Sequence, residues 1–230
     1  MLKKLKDKTS PFAKTVHSGN IPPVITEQYR LLRSKLSSLN SNHNNKVIAL
    51  TSTQKGEGKS TTSVNLAIVM AKDTKKNVLL IDGDMRKPSI HTFFNYKVKY
   101  GLVDILLKRT NIGSAIVSSG IKNLTLLLGG EAVGNPSDLI TSPLLRELIE
   151  ILKTKFDYII IDSPPIIPFA DMNILADIVD SILLVVKAET TPKKMVLEAL
   201  KSLNKENVIG VVLNDSRRSL SKTYYDYDYD

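Results

Sequence analysis

Six consecutive residues, Gly56-Glu57-Gly58-Lys59-Ser60-Thr61, carry the densest chemistry in this chain. Glycines at 56 and 58 let a backbone bend closely enough for its N–H groups to point at phosphate oxygens. Lys59 supplies a cation for the outer phosphates of a nucleoside triphosphate, and the Ser60 hydroxyl suits magnesium. The apolar residues Val47 to Leu50 precede the loop, and an apolar-periodic stretch from Val64 to Ala71 follows it. Strand, glycine loop, Lys-Ser and helix together can hold a triphosphate, the helix adding its positive end. A turn without ligand would leave the lysine and a row of N–H groups with nothing to bind. The motif departs from the fullest pattern at Thr53, where glycine is usual.

Three aspartates extend this chemistry. Asp82 and Asp84 lie in Asp82-Gly83-Asp84-Met85-Arg86-Lys87-Pro88, and Asp162 begins Asp162-Ser163-Pro164-Pro165; both segments follow apolar runs. A single aspartate at a strand end is commonly a turn former. Three beside a phosphate-binding loop suit magnesium and phosphoryl transfer, since magnesium takes oxygen ligands and keeps several waters. One carboxylate can bind directly and others through water. Transfer to water makes an ATPase switch; transfer to a side-chain hydroxyl makes a kinase. The C-terminus bears on that choice. Tyr224, Tyr225, Tyr227 and Tyr229 are half of the eight tyrosines, spaced by Asp226, Asp228 and ending at Asp230. Such phenols fit a phosphate acceptor better than a core, although a β-prone tail can also pair with a sheet edge.

The elements that position these groups follow from periodicity. Apolar runs at 47–50, 77–81, 124–128, 158–161, 182–187 and 208–213 read as strands, with helical patterns between them. Ser142 with Pro143 marks a helix start, and so does Thr191-Pro192. Buried strands alternating with helices predict an α/β fold, a doubly wound, mainly parallel sheet of P-loop NTPase architecture. Ligands in such sheets bind beyond the carboxyl ends of the strands, where Lys59, Asp82, Asp84 and Asp162 all fall. A preceding helix is expected over 25–39, with Tyr29, Leu32, Leu36 and Leu39 on its apolar side. Glu27, Arg30 and Arg33 form a charged stripe on the other side, by itself a solvated face. The expected organisation is a flexible basic arm over 1–23, a domain over 24–215 and a flexible tyrosine-rich tail over 216–230.

Composition narrows the class. The net charge of +9 is concentrated in residues 1–46, which hold nine Lys/Arg against Asp7 and Glu27. Such an arm suits anionic lipid, nucleic acid or plain solvent. There is no cysteine, which excludes disulfides and thiolate metal sites. No apolar run approaches the length of a membrane span and no secretory signal is legible, so a cytosolic protein is expected.

The chain resembles the bacterial tyrosine kinases. Gln54 to Ser60 is similar to their Walker A motif, 82–88 to Walker A′ and 159–165 to Walker B. Glu27-x-x-Arg30-x-x-Arg33 resembles the family's oligomerisation motif, and Gly134 to Leu139 another recurrent segment. The tyrosine cluster completes the set, so the likeness runs from about residue 24 to 230. It implies ATP and Mg2+ as cofactors, autophosphorylation of the tail, and control of capsular or exopolysaccharide synthesis. It also implies a ring-like homo-oligomer presenting each tail to a neighbour, with the Arg30 and Arg33 stripe as subunit contact. The implied partners are a transmembrane activator of the polysaccharide co-polymerase type and a cognate phosphotyrosine phosphatase; no nucleic acid is expected. The implied location is the inner face of the cell membrane, reached through the activator in a two-polypeptide arrangement.

On these grounds the phosphate cradle is assigned to the backbone of Lys55, Gly56, Glu57, Gly58, Lys59, Ser60 and Thr61. Ser60 is assigned to magnesium, with Asp82 near the metal and accepting the tyrosine proton, and Asp84 and Asp162 holding metal-bound waters. Arg86 is assigned to phosphate or the acidic tail, and Asn214 to the adenine base, as in relatives. The alternatives are a partitioning-type ATPase switch on membrane or DNA and a scaffold that only binds nucleotide. Related partitioning ATPases carry a signature lysine where this chain has Gln54, with Lys55 one place later.

Overall fold

The computed structural model describes residues 11, 15–40, 46–133, 135–168, 171–203 and 207–216. The expected basic arm lies largely, and the tyrosine tail almost wholly, outside the described residues. In chain order the elements are α1 (Pro23–Asn40), β1 (Val47–Ser52), α2 (Lys59–Thr74), β2 (Val78–Asp82), α3 (Ile90–Phe93), α4 (Leu102–Leu106), α5 (Ile112–Ala115) and β3 (Ile116–Ser118). Then come β4 (Leu124–Leu127), α6 (Ser137–Ile140), α7 (Pro143–Lys153), β5 (Tyr158–Asp162), α8 (Asp171–Ala176), β6 (Ser181–Lys187), α9 (Lys193–Ser202) and β7 (Val208–Asn214).

Strand pairing explains the continuous apolar runs. The sheet order is β3-β4-β2-β5-β1-β6-β7, parallel throughout except at its β3 edge, which runs antiparallel to β4. β1, at 0–3% exposure over Val47–Leu50, sends Val47 and Ala49 into one core layer and Ile48 and Leu50 into the other. Helices cover both faces, so each central strand is apolar on both sides. The first core gathers residues of α4, α7 and α8, and the second those of α1, α2 and α3.

Two local corrections follow. β3 is an edge strand that the apolar runs do not reveal: it is three residues long, with Ile116 and Val117 partly buried and Ser118 exposed. On α1, Leu36 is buried, and Leu32 packs partly buried on the second core, but Leu39 is 46% exposed. Arg30 and Arg33 already meet Asp73 in the last turn of α2, so the final turn of α1 has little of α2 left to cover it. Among the described residues no helix is long and apolar enough to cross a membrane.

Candidate active site

The turn between β1 and α2 is held by its own buried acid. Glu57, 2% exposed, accepts a hydrogen bond from the backbone N–H of Gln54 at 3.0 Å and another from the Thr191 hydroxyl. These contacts fold the loop back on itself. Gly58 has φ of +90°, a conformation that L side chains rarely adopt, and a Cβ there would lie 1.9 Å from Asn214 Nδ2. Asn214, at the end of β7, donates from Nδ2 to the Glu57 carbonyl at 2.9 Å. Its amide therefore braces the loop from the neighbouring β7 edge of the sheet. Thr61 is partly buried in the first turn of α2, and Lys55 and Gly56 are exposed at the tip.

Strand register brings the carboxylates together. β2 and β5 are neighbours, and Asp82 pairs with Asp162 across them. Lys59 Nζ lies 2.8 Å from Asp162 Oδ1, 3.7 Å from Asp84 Oδ2 and 3.5 Å from Ser60 Oγ. Ser63, one turn further along α2, donates to the same Asp162 oxygen at 3.1 Å. Asp82 Oδ2 accepts the backbone N–H groups of Ser89 and Ile90 at 2.8 and 2.9 Å. Asp82 Oδ1 and Asp162 Oδ2 are buried and have no protein hydrogen-bond partner. Unsatisfied buried oxygens are costly, and native structures keep them chiefly where a water, ion or ligand completes them.

Electrostatics set Asp82 apart. Complete burial, then the Asp162 charge, pushes its pKa up to about 7, although Lys59 and two N–H groups pull the other way. Asp84 is also raised, again mainly by burial, with Lys59 opposing. A carboxyl so shifted is a better match to a phenol of pKa ~10 than an ordinary aspartate of ~3.9.

The 82–88 loop is anchored at three points. Ser89 Oγ donates to Ser60 Oγ at 3.2 Å, tying it to the phosphate-loop helix. Gly129, after β4, packs so closely that a Cβ would meet Pro88 at 2.7 Å and Asp82 Cγ at 3.5 Å. Arg86 is held by Asp171: Nε donates to Asp171 Oδ2 at 2.6 Å and a terminal nitrogen to Oδ1 at 3.1 Å. Ser137, in the Asn135 to Leu139 segment, donates to the same carboxylate at 3.3 Å.

The structure thus gathers Lys59, Ser60, Asp82, Asp84 and Asp162, and joins Asn214 to the loop through a carbonyl. Glu27 and Arg30 form an ion pair on α1, 3.3 Å from Asp73 through Arg30 Nε, with Arg33 Nε 4.0 Å from Asp73. Tyr224, Tyr225, Tyr227 and Tyr229 lie outside the described residues. Sequence reasoning missed Ser63, Ser89, Gly129, Asp171 and Thr191. Ser63 had a signal, its position one turn after Lys59 on the same helix face; the others come together only through the tertiary fold.

The residues present fit a magnesium-nucleotide group. Among the described residues no three acidic or imidazole side chains form a ready cage for a metal. Magnesium bound with phosphates needs only one or two carboxylates, and here two orphaned carboxylate oxygens and a serine hydroxyl border the loop.

Comparison with known proteins agrees with this geometry. The family model described as AAA domain matches residues 45–214. Tyrosine-protein kinase YwqD of Bacillus subtilis (strain 168) is 36% identical over 201 residues, covering 86% of this chain and 84% of that protein. The chain belongs to the bacterial tyrosine-kinase family. As a bacterial tyrosine kinase it also resembles the crystal structure of the chimerical protein CapA2B2, with a TM-score of 0.78 and 31% identity over 85% of this chain and 88% of that one. The septum site-determining protein MinD from Pyrococcus horikoshii OT3, complexed with Mg-ADP, superposes less well, with a TM-score of 0.62 and 25% identity over 76% of this chain and 72% of that one. This enzyme is accordingly a protein-tyrosine kinase on a P-loop scaffold.

Proposed function

We propose that this kinase transfers the γ-phosphate of ATP to its own C-terminal tyrosines, Tyr224, Tyr225, Tyr227 and Tyr229, in trans within a homo-oligomer. The observation that carries this reading is the buried pair Asp82 and Asp162, each with one unpartnered oxygen, with Lys59 Nζ 2.8 Å from the other Asp162 oxygen. Magnesium-bound ATP supplies the electrophilic phosphorus and charge neutralisation when bound. Lys59 and the backbone of residues 55–61 bind the phosphates, and Ser60, Asp82, Asp84 and Asp162 hold the metal and its waters. Asp82 orients the tyrosine hydroxyl and accepts its proton late in transfer, a role its buried, unpartnered oxygen supports. Asn214 holds the loop while bordering the base.

Family membership supports the wider setting: control of capsular or exopolysaccharide synthesis, a transmembrane activator and a cognate phosphatase as partners, and a place at the inner membrane face through the activator. The domain limits, a basic arm over 1–23 and a tail over 216–230, belong to the same reading.

The test is incubation of the full chain with ATP and magnesium, with the activator present, followed by mass spectrometry. Phosphate on residues 224–229, abolished by Lys59→Met, is the expected result. Free phosphate with an unmodified tail would instead mark an ATPase switch. Mixing a Lys59→Met chain with an active chain lacking residues 217–230 tests the trans step; an unlabelled Lys59→Met tail would overturn it.

A further inference from the structure

The acidic spacing of the tyrosine tail calls for cations near the site, and Arg86 is engaged by Asp171. Two other cations stand at the mouth. Lys55 is exposed at the tip of the phosphate loop, and Lys87 is exposed at the end of the 82–88 loop. Lys87 is held in place by its backbone N–H, which donates to the Asp84 carbonyl and to Asp84 Oδ1, both at 3.1 Å. Their two loops are already tied at Ser60 and Ser89, which keeps the two exposed lysines close. The neighbouring Lys87, first through its side chain and then through its charge, lowers the Lys55 pKa. Among the described residues no carboxylate lies within 4.0 Å of either ammonium. Two neighbouring cations on tethered loops form a seat for an anion.

We propose that Lys55 and Lys87 form a specificity seat for a carboxylate flanking the acceptor tyrosine, so that the site selects acidic, tyrosine-bearing peptides. The seat lies at the outer edge of the loops that carry Lys59 and Asp84, whereas the proton acceptor Asp82 is completely buried. A tyrosine reaching inward to Asp82 leaves its neighbouring residue at the surface, beside the lysines. In the sequence Tyr225-Asp226-Tyr227-Asp228-Tyr229-Asp230 every tyrosine has such a neighbour. A second basic region offers a contrast. Lys97 and Lys99 line a cleft of about 590 Å3 next to the site, but Asp104 and Glu131 face the same cleft and offset their charge. The proposal rests on the kinase reading for its choice of ligand. The same seat could take a nucleotide phosphate, and the experiment separates the two sources.

The experiment measures binding, so that it does not depend on turnover. A fluorescein-labelled peptide of residues 222–230 and its counterpart carrying Asp226→Asn, Asp228→Asn and Asp230→Asn are titrated against the full chain with Mg-ADP, and anisotropy is read. Wild type is expected to bind the acidic peptide about threefold or more tightly than the amide peptide. Lys87→Gln should abolish that preference, Lys87→Arg should restore it, and Lys97→Gln/Lys99→Gln should keep it. Equal binding of both peptides by wild type overturns the proposal, and so does loss of preference in the Lys97/Lys99 variant, which would indicate diffuse attraction. Weaker fluorescent-nucleotide binding by Lys87→Gln with peptide preference intact assigns the seat to phosphate and also overturns it. Peptide preference without phosphate incorporation would sink the autophosphorylation reading and leave the seat standing; phosphorylation without preference would do the reverse.

Discussion

Arg86 and Asp171, 85 residues apart, share two hydrogen bonds, with the carboxylate at 2% side-chain exposure and the guanidinium at 22%. The pair fastens the loop carrying Asp82 and Asp84 to the start of α8. Removing either partner strands the other, and the more buried survivor suffers more. Arg86→Ala should therefore destabilise the chain by about 3–5 kcal/mol, and Asp171→Ala by less. Urea denaturation of both variants checks the order; equal losses would contradict it.

Asp82 should make stability depend on pH. Its folded pKa of about 7 lies above the ordinary 3.8, chiefly through burial and then through Asp162. The folded state thus binds the proton more tightly than the unfolded chain does. The contribution is complete below pH 3.8 and is lost as pH rises through about 7. At about 1.4 kcal/mol per unit, the loss is of the order of 4 kcal/mol at most. Without nucleotide or metal, urea midpoints at pH 5 and pH 8 should differ more for wild type than for Asp82→Asn. Parallel pH dependences in the two proteins would refute this account.

Gly58→Ala should damage the phosphate loop in two separable ways. Its Cβ would strike Asn214 Nδ2, and its φ of +90° is strained for alanine. Asn214→Ala relieves only the first. With Asn214→Ala as the reference, adding Gly58→Ala should cost less nucleotide affinity than it costs in the wild type, measured with a fluorescent nucleotide. No further loss against Asn214→Ala would mean that the backbone strain, expected at about 1–3 kcal/mol, is negligible there.

Arg30 and Arg33 both turn toward Asp73 of their own chain. On the reading of this stripe as a subunit contact, Arg30→Ala/Arg33→Ala should lower the assembly mass seen by light scattering while leaving nucleotide affinity intact. Asp73→Asn should have the opposite sign, since it releases both guanidinium groups toward a neighbour. A matching fall in mass for Asp73→Asn would mean that the ion pairs shape α1 rather than the contact.

The sequence showed the site's chemistry more fully than its supports. Lys59 and Ser60 sit in a contiguous motif, and Asp82 and Asp162 each end an uninterrupted apolar run, so local pattern suffices to find them. Their meeting follows from strand neighbourhood in a parallel sheet. Arg86 was different. Its motif neighbours suggested phosphate or the acidic tail; its side chain meets Asp171, which no local spacing links to it. Leu39 likewise fits the helical apolar spacing, yet is left exposed because α2 ends beneath it. Ser63 was visible in principle from helix spacing alone.

The closeness of Lys59 to Asp162 gives ligand binding the character of a substitution reaction. The lysine is already matched by two carboxylates, at 2.8 and 3.7 Å. A phosphate entering there displaces one anion from the ammonium rather than neutralising a bare cation, and the released carboxylate becomes free to take up a positive charge of its own. Nucleotide and metal should then enter cooperatively, since each removes the electrostatic penalty created by the other.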